Sequence, residues 1–335
     1  ILPVVCGLLQ IEIVYRVARL VFAESKYMQM MAIVTATLLP IHTFTCQVVG
    51  NEPLVGCLLS LLIFFSLSLM SALSEERQWS YFIFMGFIWG LALLTKMTAI
   101  LFTPVLIIVV LLHYRIHQKP LKSAVKPIMI LFSVSLLMAG WYYLRNYIEL
   151  GNPFASVLDH SSRGQWWQDP GYRTWSQILS FGQSLVYPVY AGVVSFWDMI
   201  YSTLWLDGFN SGVANFVPWN ENFMIAGSLL ALLPSLFILT SVVSICRGKS
   251  EAHQNAVIFS TGIIVLFLIA MLDRFINCPF YSAARSGYTL GLLPCYAILV
   301  AAGAEPFLKN KLIRSFVMAL FACWAFAAYA AYFVV

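Results

Sequence analysis

Residues 82–112 read FIFMGFIWGLALLTKMTAILFTPVLIIVVLL, thirty-one residues with a single charge, Lys96, near the centre. The run is too long for one membrane crossing and suits two short ones that meet at the lysine. A lysine within hydrocarbon costs roughly 2.5–3.5 kcal/mol on insertion scales. A lysine at a helix break, facing a polar cavity, costs far less. Two roles are open for it there. An ammonium is a point-charge partner for phosphate, and a lysine stem also snorkels to lipid headgroups.

The rest of the chain is built the same way. It is 61% hydrophobic and 10% charged over 335 residues, with a mean hydropathy of +0.85. Soluble domains are roughly half apolar and a quarter charged, so this is an integral membrane protein. The apolar runs do not alternate with polar residues as barrel strands do. We expect an all-α polytopic protein, a single transmembrane domain over 1–335. Its ten spans lie near 1–22, 28–49, 54–73, 80–95, 97–113, 127–144, 223–246, 256–272, 287–304 and 314–335.

Basic residues sort the connecting loops into two sets. Arg16, Arg19, Lys26, Arg77, Arg115, Lys119, Lys122, Lys126, Arg247, Lys249, Lys309, Lys311 and Arg314 fall on one side. Lys96, Arg145, Arg163, Arg173, Arg274 and Arg285 fall on the other. The 13 against 6 alternate correctly through all ten spans, which assigns the first set to the cytoplasm. The net charge of +5 is thus a topology signal and does not imply nucleic acid. The outer side carries the long loop 145–222, whose segment SQILSFGQSLVYPVYAGVVSFWDMIYSTLW reads either as interfacial helices or as a folded external loop.

Polar residues converge on that outer face. GNEPL at 50–54 puts Asn51 and Glu52 in a tight turn; Gly and Pro explain the turn but not the acid. WYYLRNYIELGNPF at 141–154 puts Arg145 where a helix leaves the leaflet, before Gly151-Asn152-Pro153 breaks the chain. DRFINCPFYSAARSGY at 273–288 brings Asp273, Arg274, Arg285 and Tyr288 into one short loop, and Arg285 and Tyr288, three apart, share a face. Lys96, Arg145, Arg274 and Arg285 give one face four cations at the depth where lipid-linked phosphates, and ordinary anionic headgroups, present their charge.

Other polar residues read as structural. Glu12 and Arg16 are four apart and can pair on one helical face. His42 and His113 read as packing histidines, and His160 with Asp159 and Asp169 is too sparse for a metal site. The seven cysteines are scattered singly, without metal-ligand spacing, and read as small packing residues. WWQDPG at 166–171 has only a superficial likeness to the WWDYG signature of oligosaccharyltransferases. No cofactor is named by these residues, and a divalent cation is left open.

In order along the chain, VYRVARLVF, GNEPL, GLALLTKMTAILFTP, WYYLRNYIELGNPF and ARSGYTLGLLP resemble the type C (GT-C) integral-membrane glycosyltransferases, over roughly residues 5–305. The nearest branches are protein O-mannosyltransferases and aminoarabinose transferases. The resemblance implies a GT-C-like helical bundle that takes a sugar from a polyprenyl-phosphate donor. The sugar passes to a lipid, glycan or protein acceptor on the extracytoplasmic face, as in a bacterial inner membrane. It implies that Lys96 lies near the donor phosphate and that Glu52 matches the acid in the turn before the fourth family helix. Arg145, Arg285 and Tyr288 match only loosely, as outer-face residues of the family cavity, and Arg274 joins them as a candidate for binding the donor phosphate. The family's catalytic acid lies in the first external loop, and the chain, starting at Ile1, is expected to begin at the family's second helix. Glu52 is then the best remaining acid. A polysaccharide ligase or polymerase, or a lipid-linked-sugar flippase, would be the alternatives.

Overall fold

The computed structural model describes residues 1–71, 75–154, 173–189, 191–207, 220–246, 253–277 and 283–334. Every regular element among them is helical. Seven helical segments are long and apolar enough to cross a membrane: 52–70, 97–116, 121–150, 221–246, 254–277, 286–308 and 311–330. The three other expected spans are helical too, and each differs for a readable reason. The first, α1 (Leu2–Val21), carries Glu12, Arg16 and Arg19. The fourth is the apolar part, Trp79–Thr95, of α5 (Glu75–Thr95). The expected span 28–49 is divided into α2 (Lys26–Leu38) and α3 (Pro40–Thr45). Pro40 has no N–H to give the preceding turn and disfavours helix in the residue before it, so Leu39 turns extended, at φ −66° and ψ 112°.

The chain forms two compact units. In the unit of residues 54–166, the bulk of α4 (Glu52–Met70) is joined by α5, α6 (Phe102–Ile116) and α7 (Val125–Leu150). The pairing of α5 with α7 rests on two small residues one turn apart, Gly86 and Gly90. A Cβ on Gly90 would come within 2.6 Å of Met138 Cβ, and one on Gly86 within 3.0 Å of Val134 Cβ. Small residues spaced by four let membrane helices approach closely. At its far end α7 stops on Gly151, in the left-handed region at φ 71°, as the Gly-Asn-Pro sequence leads one to expect.

The other unit, residues 1–53 and 167–335, is organised around α13 (Leu293–Leu308), buried along its whole first three turns. Around it pack α1, α2, α11 (Leu232–Cys246) and α12 (Gln254–Asn277), and α14 (Lys311–Ala330) packs on α10 (Glu221–Leu230). The sequence Ala301-Ala302-Gly303-Ala304 explains the centre. Gly303 lies so close to α11 that an added Cβ would collide with the Phe237 carbonyl, and Thr240 Oγ1 donates to the Gly303 carbonyl at 3.1 Å. Glu12 and Arg16 do pair, Nε to Oε1 at 2.8 Å.

Between α7 and α10, α8 (Trp175–Leu179) leaves Trp175 and Leu179 exposed, whereas α9 (Phe196–Trp205) is buried on nearly every side.

Candidate functional site

Three of the residues expected at the site line one cavity. Glu52 closes one side from the first turn of α4, while Arg285 and Tyr288 close the other. The cavity measures about 200 Å³, and its walls include Ile41 and Thr45 of α3, Gly50 and Thr203. Arg285 precedes a 3₁₀ turn, Ser286–Leu292, that leads into α13. In that turn the spacing of three puts Arg285 beside Tyr288: its guanidinium carbon is 5.5 Å from the ring centre. Arg274, in the last turn of α12, approaches the same ring at 6.0 Å. Two cations within reach of one aromatic face are each attracted by its quadrupole, so Tyr288 acts as a common seat for both.

The 3₁₀ turn is fixed by contacts that span most of the chain. Ser286 N–H donates to Thr203 Oγ1 at 2.9 Å, and Ser286 Oγ donates to the Ile200 carbonyl at 2.7 Å. Thr289 Oγ1 donates to the Ser286 carbonyl at 2.8 Å and accepts from Tyr296 at 3.0 Å. Gln10, buried in α1, donates to the Leu290 carbonyl at 3.2 Å. All of these residues are buried, and a buried polar group left without a partner is costly. The turn that carries Arg285 and Tyr288 is therefore held in place from α1, α9 and α13 together.

Beneath it, α9 is anchored by a buried carboxylate. Asp198 Oδ1 accepts from Gly182 N–H at 3.0 Å, Ser184 N–H at 2.9 Å and Ser184 Oγ at 2.7 Å; Oδ2 accepts from Ser195 Oγ at 2.8 Å. Four donors satisfy a charge that would otherwise be expensive to bury. Ser195 also caps α9 by accepting from Asp198 N–H. Tyr201 OH donates to the Ser228 carbonyl at 2.6 Å. Burial there pushes the phenol well above its ordinary pKa, which keeps it a donor.

Arg173 was grouped with the outer cations in the sequence, and here it has a structural post. Its Nε donates to the Phe275 carbonyl at 2.9 Å and its guanidinium carbon lies 3.7 Å from the Phe275 ring centre. A cation on the last carbonyls of α12 also meets the negative end of the helix dipole.

Lys96 and Arg145 belong to the unit of residues 54–166. Lys96 stands at the expected break: α5 ends at Thr95, Lys96 is extended at φ −157° and ψ 128°, and a 3₁₀ turn, Met97–Leu101, leads on to α6. The break is braced on both sides, by Trp89 Nε1 donating to the Ala99 carbonyl at 3.1 Å and Tyr143 OH donating to the Leu93 carbonyl at 2.9 Å. Lys96 is half-buried. Arg145 is exposed on α7 and donates from Nε to Glu149 Oε2 at 3.0 Å, one turn on.

Among the described residues, no three His, Cys, Asp or Glu side chains are grouped to hold a metal ion. Cys6, Cys46, Cys57 and Cys295 are buried thiols; Cys246 and Cys323 are exposed. Arg163, His160, Asp159, Asp169, WWQDPG, Arg247, Lys249 and Cys278 lie outside the described residues.

Residues 1–143 match the family model of dolichyl-phosphate-mannose-protein mannosyltransferases. The match supports a membrane glycosyltransferase of the GT-C type. The matched stretch includes α1 to α3, Glu52 and Lys96, and ends two residues before Arg145. No curated protein and no solved structure matches the chain.

The residues that position the site, Thr203, Ser286, Thr289, Gln10 and Asp198, were missed in the sequence. Only the Ser195-x-x-Asp198 spacing, a helix-start signature, could have drawn attention to α9.

Proposed function

We propose that the protein transfers a sugar from a polyprenyl-phosphate donor to a lipid, glycan or protein acceptor on the extracytoplasmic face of its membrane, a bacterial inner membrane being the natural setting. The observation that carries the reading is the cavity in which a carboxylate, Glu52, shares the walls with Arg285 and Tyr288. The match over residues 1–143 supports the same class of enzyme.

In this reaction the anomeric carbon–phosphate oxygen bond breaks and its electron pair leaves with the phosphate. The acceptor hydroxyl forms the new bond and gives up its proton. Preorganised cations facing the departing phosphate stabilise the charge that develops there, commonly the largest single contribution to the rate. Arg285, with Arg274 seated against the same tyrosine, supplies that charge in the unit built around α13. In the unit of residues 54–166, Lys96 on its braced break and Arg145 on α7 are phosphate-binding candidates in their own right. Glu52 is the carboxylate we assign to the cavity as proton acceptor, in keeping with its place among the lining residues. Trp175 and Leu179, exposed on α8, are suited to meet a leaflet surface.

The test is transfer of labelled sugar from a synthetic polyprenyl-phosphate donor by the purified full-length protein. Arg285→Ala and Lys96→Ala are each expected to lower the rate about 10²–10³-fold, the usual cost of one electrostatic stabiliser, with the fold intact. Undiminished transfer in both would end the site assignment. Transfer of a preassembled glycan in place of one sugar would end the reaction assignment and favour a ligase.

A further inference from the structure

The end of α7 opposite Arg145 carries a feature that the glycosyl-transfer reading does not use. Lys122, in the 3₁₀ turn just before α7, and Lys126, in its first turn, stand at the head of a groove of about 610 Å³. Further along the same helix the groove is lined by Met129, Ile130, Ser133 and Val134. The spacing of 122, 126, 129/130 and 133 is that of a single helical face. Lys126 Nζ lies 4.9 Å from the centre of the Trp79 ring, and indole rings gather at membrane boundaries. Among the described residues, no acidic side chain lines the groove.

Helix length fixes where this groove sits. Lys126 and Arg145 are nineteen residues apart on α7, about 29 Å along the axis at the standard rise. That equals the thickness of a bilayer's hydrocarbon core, about 30 Å. The lysines therefore stand at one headgroup boundary, and Met129, 62% exposed, begins the apolar stretch just inside it. The groove thus pairs two cations at headgroup depth with an apolar channel at acyl-chain depth.

We propose that this groove is a binding site for an anionic phospholipid. The lipid phosphate sits between the Lys122 and Lys126 ammonium groups, and one acyl chain lies along Met129, Ile130 and Val134. Charge complementarity selects anionic over zwitterionic lipid, since both lysines act as point charges toward phosphate. The site is independent of the donor site, because none of its residues lines the cavity of Glu52 and Arg285.

The experiment is native mass spectrometry of the full-length protein released from nanodiscs holding equal phosphatidylglycerol and phosphatidylcholine. The wild type is expected to retain phosphatidylglycerol in preference, and Lys122→Gln with Lys126→Gln to reduce that retention about tenfold or more. Replacing the same pair by Arg preserves it. Ser133→Phe, which fills the acyl part of an exposed groove and leaves both charges, reduces it as well. Lys26→Gln with Lys311→Gln, an exposed basic pair elsewhere, leaves it unchanged. Equal retention of the two lipids by the wild type overturns the proposal, as does undiminished phosphatidylglycerol in the Gln pair. Should the Gln pair fail to fold, the Ser133→Phe arm decides.

Discussion

The guanidinium of Arg285 and the ring of Tyr288 face each other across 5.5 Å, and Arg274 reaches the same ring from α12. Both cations lie within reach of the aromatic ring. Tyr288→Phe is therefore expected to keep transfer close to the wild-type rate. Tyr288→Leu removes two cation–π contacts of about 0.5–1 kcal/mol each and should slow transfer about tenfold. Equal rates in the two variants would show that the ring does not position the cations.

Thr203 lies 83 positions from Ser286 in sequence and accepts its N–H. Thr203→Val keeps the shape and leaves that buried N–H without an acceptor, a loss of about 1–3 kcal/mol. Thermal unfolding in detergent should move down accordingly, and sugar transfer should fall with it because the turn carries Arg285. An unchanged melting temperature would mean that the bonds to Ile200, Gln10 and Tyr296 hold the turn without Thr203.

Arg145 and Glu149 form a local pair on the exposed side of α7. Exchanging them, Arg145→Glu with Glu149→Arg, preserves the pair and reverses its direction. If Arg145 serves the donor phosphate, the exchange should cost transfer activity while expression and melting stay unchanged. Full activity in the exchanged protein would assign Arg145 to anchoring the helix.

Gly303 has no room for a side chain against the Phe237 carbonyl. Gly303→Ala should force α11 and α13 apart and destabilise the protein by roughly 3 kcal/mol, toward the upper end for overpacked cores. Gly262 provides the comparison, since a Cβ there meets nothing within 4 Å. Gly262→Ala should leave the melting temperature unchanged or raised, because alanine favours helix. A similar loss at both glycines would deny the close approach at Gly303.

The all-helical membrane fold was legible because long apolar runs admit no other reading. The Lys96 break was legible too, because one charge divided a run twice the length of a crossing. The break at Leu39–Pro40 was not read, although Pro40 was in plain view: the surrounding residues are apolar enough to continue as one span. Arg285 and Tyr288 were paired correctly by their spacing alone, and Glu52 was picked out because a turn needs no acid. Thr203, Ser286 and Gln10 left no local signal, since their partners lie 83, 86 and 280 positions away. Gly86 and Gly90 were visible as a spaced pair, but only the approach of α7 shows what the spacing is for.

Tyr329 completes the break in the second expected span. Its hydroxyl donates to the Leu38 carbonyl at 3.3 Å and is 2.9 Å from Thr43 Oγ1, on either side of Pro40. The short helix α3, which supplies Ile41 and Thr45 to the cavity wall, is thereby tied to α14. During biosynthesis the first part of that wall leaves the ribosome nearly three hundred residues before its clamp. The cavity consequently reaches its final shape only when α14 is in place, and a chain released early, before Tyr329, would insert most of its helices yet lack a finished wall.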